Sequence, residues 1–148
     1  MYRVIILSAI MAVFGLSQMA LSADLPKASK RENVEYYEVV YVKYKVGKAE
    51  DAFRMIKKYF IPASEAAGTL EPYVINFQTG PWDVALFWTR NSMGDFDWSI
   101  SPDNEKWFAA FVKQTGSMEK AQAILDKYYD LIAENRVDMA YHKMTPKD

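Results

Sequence analysis

The densest pattern in the chain is the run Tyr36–Val46, YYEVVYVKYKV, rich in β-branched and aromatic residues. Alternation divides it into two faces, Tyr36, Glu38, Val40, Val42, Tyr44 and Val46 against Tyr37, Val39, Tyr41, Lys43 and Lys45. The pattern predicts a strand covered on both sides at its centre and ended by Gly47. The period then changes from two to between three and four. Ala49, Ala52, Phe53, Ile56, Phe60 and Ala63 form one stripe, with Glu50, Asp51, Arg54, Lys57 and Lys58 elsewhere on the wheel. This is an amphipathic helix from Lys48 to about Ala67, which Pro62 should kink or divide and Gly68 should cap.

Two strands follow, Leu70–Gln78 and Trp82–Arg90, joined by the turn residues Thr79-Gly80-Pro81. A polar loop, Asn91–Pro102, leads to a helix over Asp103–Gln114 with Trp107, Phe108, Phe111 and Val112 on one side. Ser117 can N-cap a further helix running to about Glu134, with Ala121, Ile124, Leu125, Tyr128, Leu131 and Ile132 as its stripe. Arg136–Met144 reads as a final strand. The order strand, helix, strand, strand, helices, strand predicts an α+β domain with the ferredoxin-like βαββαβ arrangement and an antiparallel sheet. Helices cover one face of such a sheet. The other face carries aromatic and apolar positions, and large exposed apolar patches are rare on monomers, so a homodimer is expected.

Ahead of the domain, Met1–Arg3 is short and basic, Val4–Leu16 is apolar, and Ala20-Leu21-Ser22-Ala23 supplies small residues before Asp24. That is the order of a cleavable secretory signal, assigned to residues 1–23, and the apolar run is shorter than the roughly 20 residues of a spanning helix. Cleavage after Ser22 or Ala23 would leave a chain without a membrane span, secreted or periplasmic. Residues 24–33, DLPKASKREN, read as a disordered leader, and residues 34–148 as one domain.

Composition narrows the chemistry. Of 148 residues, 51% are hydrophobic and 15% aromatic, ample for one core. The 18 basic and 19 acidic residues include no basic block, so a nucleic-acid partner is not expected. With no cysteine, disulfides, thiolate metal sites and cysteine nucleophiles are excluded. A single histidine rules out multi-histidine metal sites.

The strand YYEVVYVKYKVGK flowing into the helix AEDAFRMIKKYF, with the hairpin YVINFQTGPWDVALFW, resembles the dimeric α+β barrel superfamily. That superfamily includes antibiotic-biosynthesis monooxygenases, haem-degrading monooxygenases and NIPSNAP-like proteins, and the resemblance covers roughly Val34 to Met144. It implies a homodimeric barrel with a pocket between sheet and helices in each half. Haem-degrading members use a helix-borne histidine. Here neither long helix has one, and His142 falls on the last strand, so no haem or other cofactor is expected.

The remaining candidates are few. Asp95, Asp97, Ser99 and Asp103 match four oxygen-ligand positions of a calcium loop, but Ile100 stands where the turn needs glycine and Lys106 where the loop needs a bidentate glutamate. No metal site is therefore assigned, and the segment reads as a solvated loop capping the next helix. Asn76, Gln78 and Asp83 could be the fixed polar groups of an aromatic pocket walled by Tyr41, Phe87 and Trp88; the plain alternative is polar strand ends and ordinary core aromatics. His142 and Tyr41 are the candidate proton acceptors, against the plain reading of His142 as a surface residue. Three functions stand on this basis. The first is an exported dimeric protein that binds a small apolar or aromatic molecule. The second is a cofactorless monooxygenase or isomerase, and the third a structural or interaction subunit.

Overall fold

The computed structural model describes residues 26–144. The expected signal peptide and the first two leader residues lie outside the described residues. Residues 26–33 carry neither helix nor strand. The ordered elements are β1 Val34–Tyr44, α1 Ala49–Met55, a π-helical segment Ile56–Phe60, α2 Ile61–Ala67, β2 Tyr73–Asn76, β3 Val84–Arg90, α3 Pro102–Thr115, α4 Met118–Tyr129 and β4 Ile132–Lys143. A 3₁₀ turn, Met93–Asp97, lies in the loop before α3.

The four strands form one sheet in the order β2-β3-β1-β4, every neighbouring pair antiparallel. This is the ferredoxin-like order, in which each crossover skips over one strand and places its helices on a single face. Register fixes the two faces, because directly opposed residues in an antiparallel ladder point the same way. On β1 the even-numbered residues share a face with Val84, Leu86, Trp88 and Arg90 of β3 and with Asn135, Val137, Met139 and Tyr141 of β4. The odd-numbered residues share the other with Ala85, Phe87 and Thr89, and with Arg136, Asp138, Ala140 and His142.

Helices cover the even face, and only part of it. Val42, Tyr44, Ala52 and Val84 form a buried cluster, extended by Val40, Leu86, Tyr128, Leu131 and Ile132. A second cluster, Ala63, Phe111 and Ala121, lies among the helices with Phe60 and Trp107 against it. The Phe60 ring meets that of Tyr128 edge-on at 5.0 Å and so joins the two clusters. Small residues at Ala52, Ala63 and Ala121, each fully buried, let these large rings fill the space between elements.

Pro62 divides the first helix as expected, but by widening it. Pro62 has no N–H to give the carbonyl of Lys58 four residues back, and its ring crowds that carbonyl. The turn before it is π-helical, and Gln114 Nε2 of α3 donates to the Lys58 carbonyl at 3.5 Å. The Phe60 carbonyl is likewise met from the side, by Trp107 Nε1 at 3.4 Å and Ser64 Oγ at 3.2 Å. The helix then ends at Gly68, whose φ of 62° is costly for any residue with a Cβ.

Several element boundaries differ from expectation, and β1 itself runs over Val34–Tyr44, not Tyr36–Val46. β2 runs only over Tyr73–Asn76, not Leu70–Gln78; Pro72 precedes it, and the Phe77 N–H to Asp83 carbonyl bond of 2.9 Å closes the hairpin beyond it. β3 starts at Val84 instead of Trp82. Most consequentially, α4 stops at Tyr129 and β4 begins at Ile132, in a stretch of helical pattern. The end of β1 demands ladder partners there. Glu134, Asn135 and Arg136 pair with Lys43, Val42 and Tyr41, and the Leu131 carbonyl accepts the Lys45 N–H at 2.8 Å. Pairing of the sheet overrides the local helical preference, while Leu131 and Ile132 stay against the core.

Candidate functional site

The register divides the residues expected to form one pocket. Tyr41 and Phe87 lie on the odd face, which is helix-free among the described residues; Trp88 and Asn76 lie on the even face, since Asn76 opposes Val84. Gln78 follows the end of β2 in the hairpin turn and is exposed. Asp83 holds the hairpin in place: its Oδ2 accepts the Tyr44 N–H at 2.7 Å, and its own N–H donates to the Val42 carbonyl at 3.0 Å. The two candidate proton acceptors are also apart. His142 opposes Glu35 and Tyr41 opposes Arg136, six residues along β1, or about 20 Å at the rise of a strand. His142 is exposed. They cannot act on one reacting atom.

On the helix-free face, Val39 and Ala85 are buried at the centre. Ring pairs flank them, Tyr37 with Phe87 at 6.1 Å, Tyr73 with Phe87 at 6.2 Å and Tyr41 with Trp82 at 5.8 Å. Tyr37 donates to Glu35 Oε2 at 2.5 Å, and that hydrogen bond raises the phenol's pKa. Tyr73 is 69% exposed, at the outer strand.

The even face changes character along the strands. Nearest the helices the central-strand positions are apolar, Val42–Val84 and Val40–Leu86 across β1 and β3, with Asn135 and Val137 beside them on β4. The next rows are Met139–Glu38–Trp88 and Tyr141–Tyr36–Arg90. Here a carboxylate and a guanidinium stand on the two central strands, where a purely structural sheet would place apolar groups. Arg90 Nη2 donates to Glu38 Oε2 at 2.5 Å. Both side chains are about three-quarters covered, at 24% and 26% exposure. The Arg90 Nε is buried with no hydrogen-bond partner, an arrangement that costs about 1–3 kcal/mol in a protein interior. Tyr36 stands directly across from Arg90, and Trp88 directly across from Glu38. Two charges and two aromatic rings therefore alternate on a patch beyond the helix-covered core. Only Trp88 of this group was legible beforehand as a candidate. The signal for the rest was Glu38 among apolar neighbours on a strand face; its partner, 52 residues away, was not visible.

Two other features are weaker. Asp95 in the loop before α3 is engaged locally, accepting from the Asn91 N–H at 2.7 Å and closing a capping box with Ser92. Among the described residues, no group of three or more metal-ligating side chains occurs. Tyr59, Gln114, Thr115, Lys120, Ala123 and Ile124 line a groove of about 430 Å³ between helices, broadly open to solvent. It encloses little, and no ion pair stands in it to orient a ligand. Among the described residues no helix is long and apolar enough to cross a membrane.

The strand order and the single helical layer define a ferredoxin-like α+β protein. Crystal structures of NIPSNAP family proteins from Agrobacterium tumefaciens are similar to this chain. One, of unknown function, aligns with a TM-score of 0.51 at 14% identity, over 76% of this chain and 92% of its own. A second structure of that protein gives 0.47 at 17%, over 76% and 93%, and another NIPSNAP family protein gives 0.47 at 15%, over 78% and 94%. At such identity the likeness is one of fold. No protein-family model and no curated protein matches the sequence.

Proposed function

We propose that this is an exported, homodimeric binding protein for a small, largely aromatic molecule. The ligand would sit on the even face of the sheet, beside Tyr36, Glu38, Trp88 and Arg90, with the helix-free face turned to the second copy. The observation that carries this reading is the three-quarters covered Glu38–Arg90 pair set between aromatic residues just past the core. Small-molecule sites combine apolar and aromatic walls with a few fixed polar groups, and this patch has that composition. Export rests on the order of charge, apolar run and small residues in the first 23 positions. Dimerisation rests on the aromatic rings of the helix-free face, with Tyr73 largely exposed among them.

The binding reading is favoured over the enzyme reading because His142 is exposed and neither it nor Tyr41 lies on the face of the sheet that carries the Glu38–Arg90 patch. A native mass spectrum of the protein recovered from its host tests all three parts. The expected species is a dimer, each chain shortened by 22 or 23 residues, carrying a non-covalent ligand. A full-length or monomeric species would overturn the export or dimer part, and an empty dimer would shift the weight to an interaction subunit.

A further inference from the structure

We infer that the Glu38–Arg90 pair selects ligands with an uncharged head group that both donates and accepts hydrogen bonds, such as a carboxamide on an aromatic ring. This rests on the ligand-binding reading above and specifies the class of molecule. Three observations carry it. First, the pair is electrically neutral and close, with Nη2 and Oε2 2.5 Å apart. A net anion near Arg90 is also near Glu38, and a net cation near Glu38 is also near Arg90. Either gains from one group, loses to the other, and gives up its own hydration in a three-quarters covered site. A neutral head with adjacent donor and acceptor gains from both and sheds less water.

Second, the pair is incompletely satisfied within the protein, because Arg90 Nε is buried without an acceptor. A pair retained for stability alone would be expected to use its donors fully, since buried polar groups nearly always find partners. Third, the neighbours fit a flat ligand body. Tyr36 and Trp88 oppose the two charged residues directly, and Met139 and Tyr141 continue the same rows on β4. Aromatic faces and a soft thioether accept a ring without imposing a single geometry.

The test uses three matched probes that differ only in the head: 3-phenylpropionamide, 3-phenylpropionate and 3-phenylpropylamine. Each is titrated calorimetrically into the dimer at pH 7. The amide should bind at least tenfold tighter than either charged probe. Glu38→Gln leaves the site positive and should move the propionate to first place; Arg90→Gln leaves it negative and should move the amine to first. Circular dichroism establishes that each variant is folded, and if one is not, the wild-type ranking decides. Tightest binding of a charged probe to the wild type, a ranking unchanged in both folded variants, or no binding of any probe overturns the inference. A ligand in the native mass spectrum together with such a result would leave the binding reading standing and sink only the selectivity. An empty dimer together with no binding would sink both.

Discussion

The carboxylate of Asp83 accepts the backbone N–H of Tyr44 at 2.7 Å, across 39 residues of sequence. Asp83 sits at the entry to β3, and Tyr44 closes β1, so one side chain ties the two central strands where the ladder ends. The Tyr44 ring beyond it is buried against Phe53 of α1, and its hydroxyl lies 3.3 Å from that of Tyr128 on α4. Tyr44 thus touches the entry to β3 through its backbone and both α1 and α4 through its ring and hydroxyl.

Asp83→Ala should therefore destabilise the fold by about 1–2 kcal/mol through a buried N–H left without an acceptor. Asp83→Asn, which keeps an acceptor oxygen, should cost less. Urea unfolding of both variants beside the wild type measures the difference. Equal stability of Asp83→Ala and wild type would remove the residue from its structural role.

The paired phenols make the fold sensitive to alkali. Burial raises the pKa of both the Tyr44 and the Tyr128 phenol, and for Tyr44 the nearby Tyr128 and Asp83 add to the rise. In the unfolded chain each ionises near 10.0. Above that pH the folded state holds protons the unfolded state has lost, so this contribution is whole below pH 10 and is lost as pH rises from there. Each group weakens the fold by at most about 1.4 kcal/mol per pH unit. A double variant, Tyr44→Phe with Tyr128→Phe, removes both hydroxyls together and should stay within about 1 kcal/mol of wild type at neutral pH. Its stability should fall less steeply between pH 10 and 11. Parallel slopes in urea unfolding at the two pH values would contradict this.

The helices α3 and α4 each begin at a serine. Ser101 Oγ accepts the Asn104 N–H at 3.1 Å, and Ser117 Oγ accepts the Lys120 N–H at 3.2 Å. Replacing either by alanine should cost about 1 kcal/mol. The two caps stand about 20 Å apart along α3, given its 14 residues, so the double variant should show the sum. Thermal unfolding of the three variants checks both the size and the additivity.

If the helix-free face meets a second copy, Tyr73→Lys should weaken association at least tenfold. Tyr73 is 69% exposed at the outer strand, so the folding of each subunit should change by no more than about 0.5 kcal/mol. Sedimentation equilibrium reads the association and circular dichroism the fold. Unchanged dimerisation would move the interface away from this face.

Much of this architecture was legible locally. A period of two in YYEVVYVKYKV and a period near 3.6 in AEDAFRMIKKYF are properties of neighbouring residues, set by the geometry of strand and helix. Pro62, Gly68 and Ser117 mark interruptions and ends for equally local reasons, and the βαββαβ order follows from the elements in series. The tertiary structure decided what depends on distant partners. The end of β1 drew Ile132–Asn135 out of a helical pattern, because unpaired backbone groups on a central strand are costly wherever the chain's own preference points. Pairing of β1 with β3 placed Tyr41 and Phe87 on one face and Trp88 on the other. It also brought Glu38 against Arg90 across 52 residues. Alternation names the two faces of a strand, but only register decides which face the helices cover and which charges meet there.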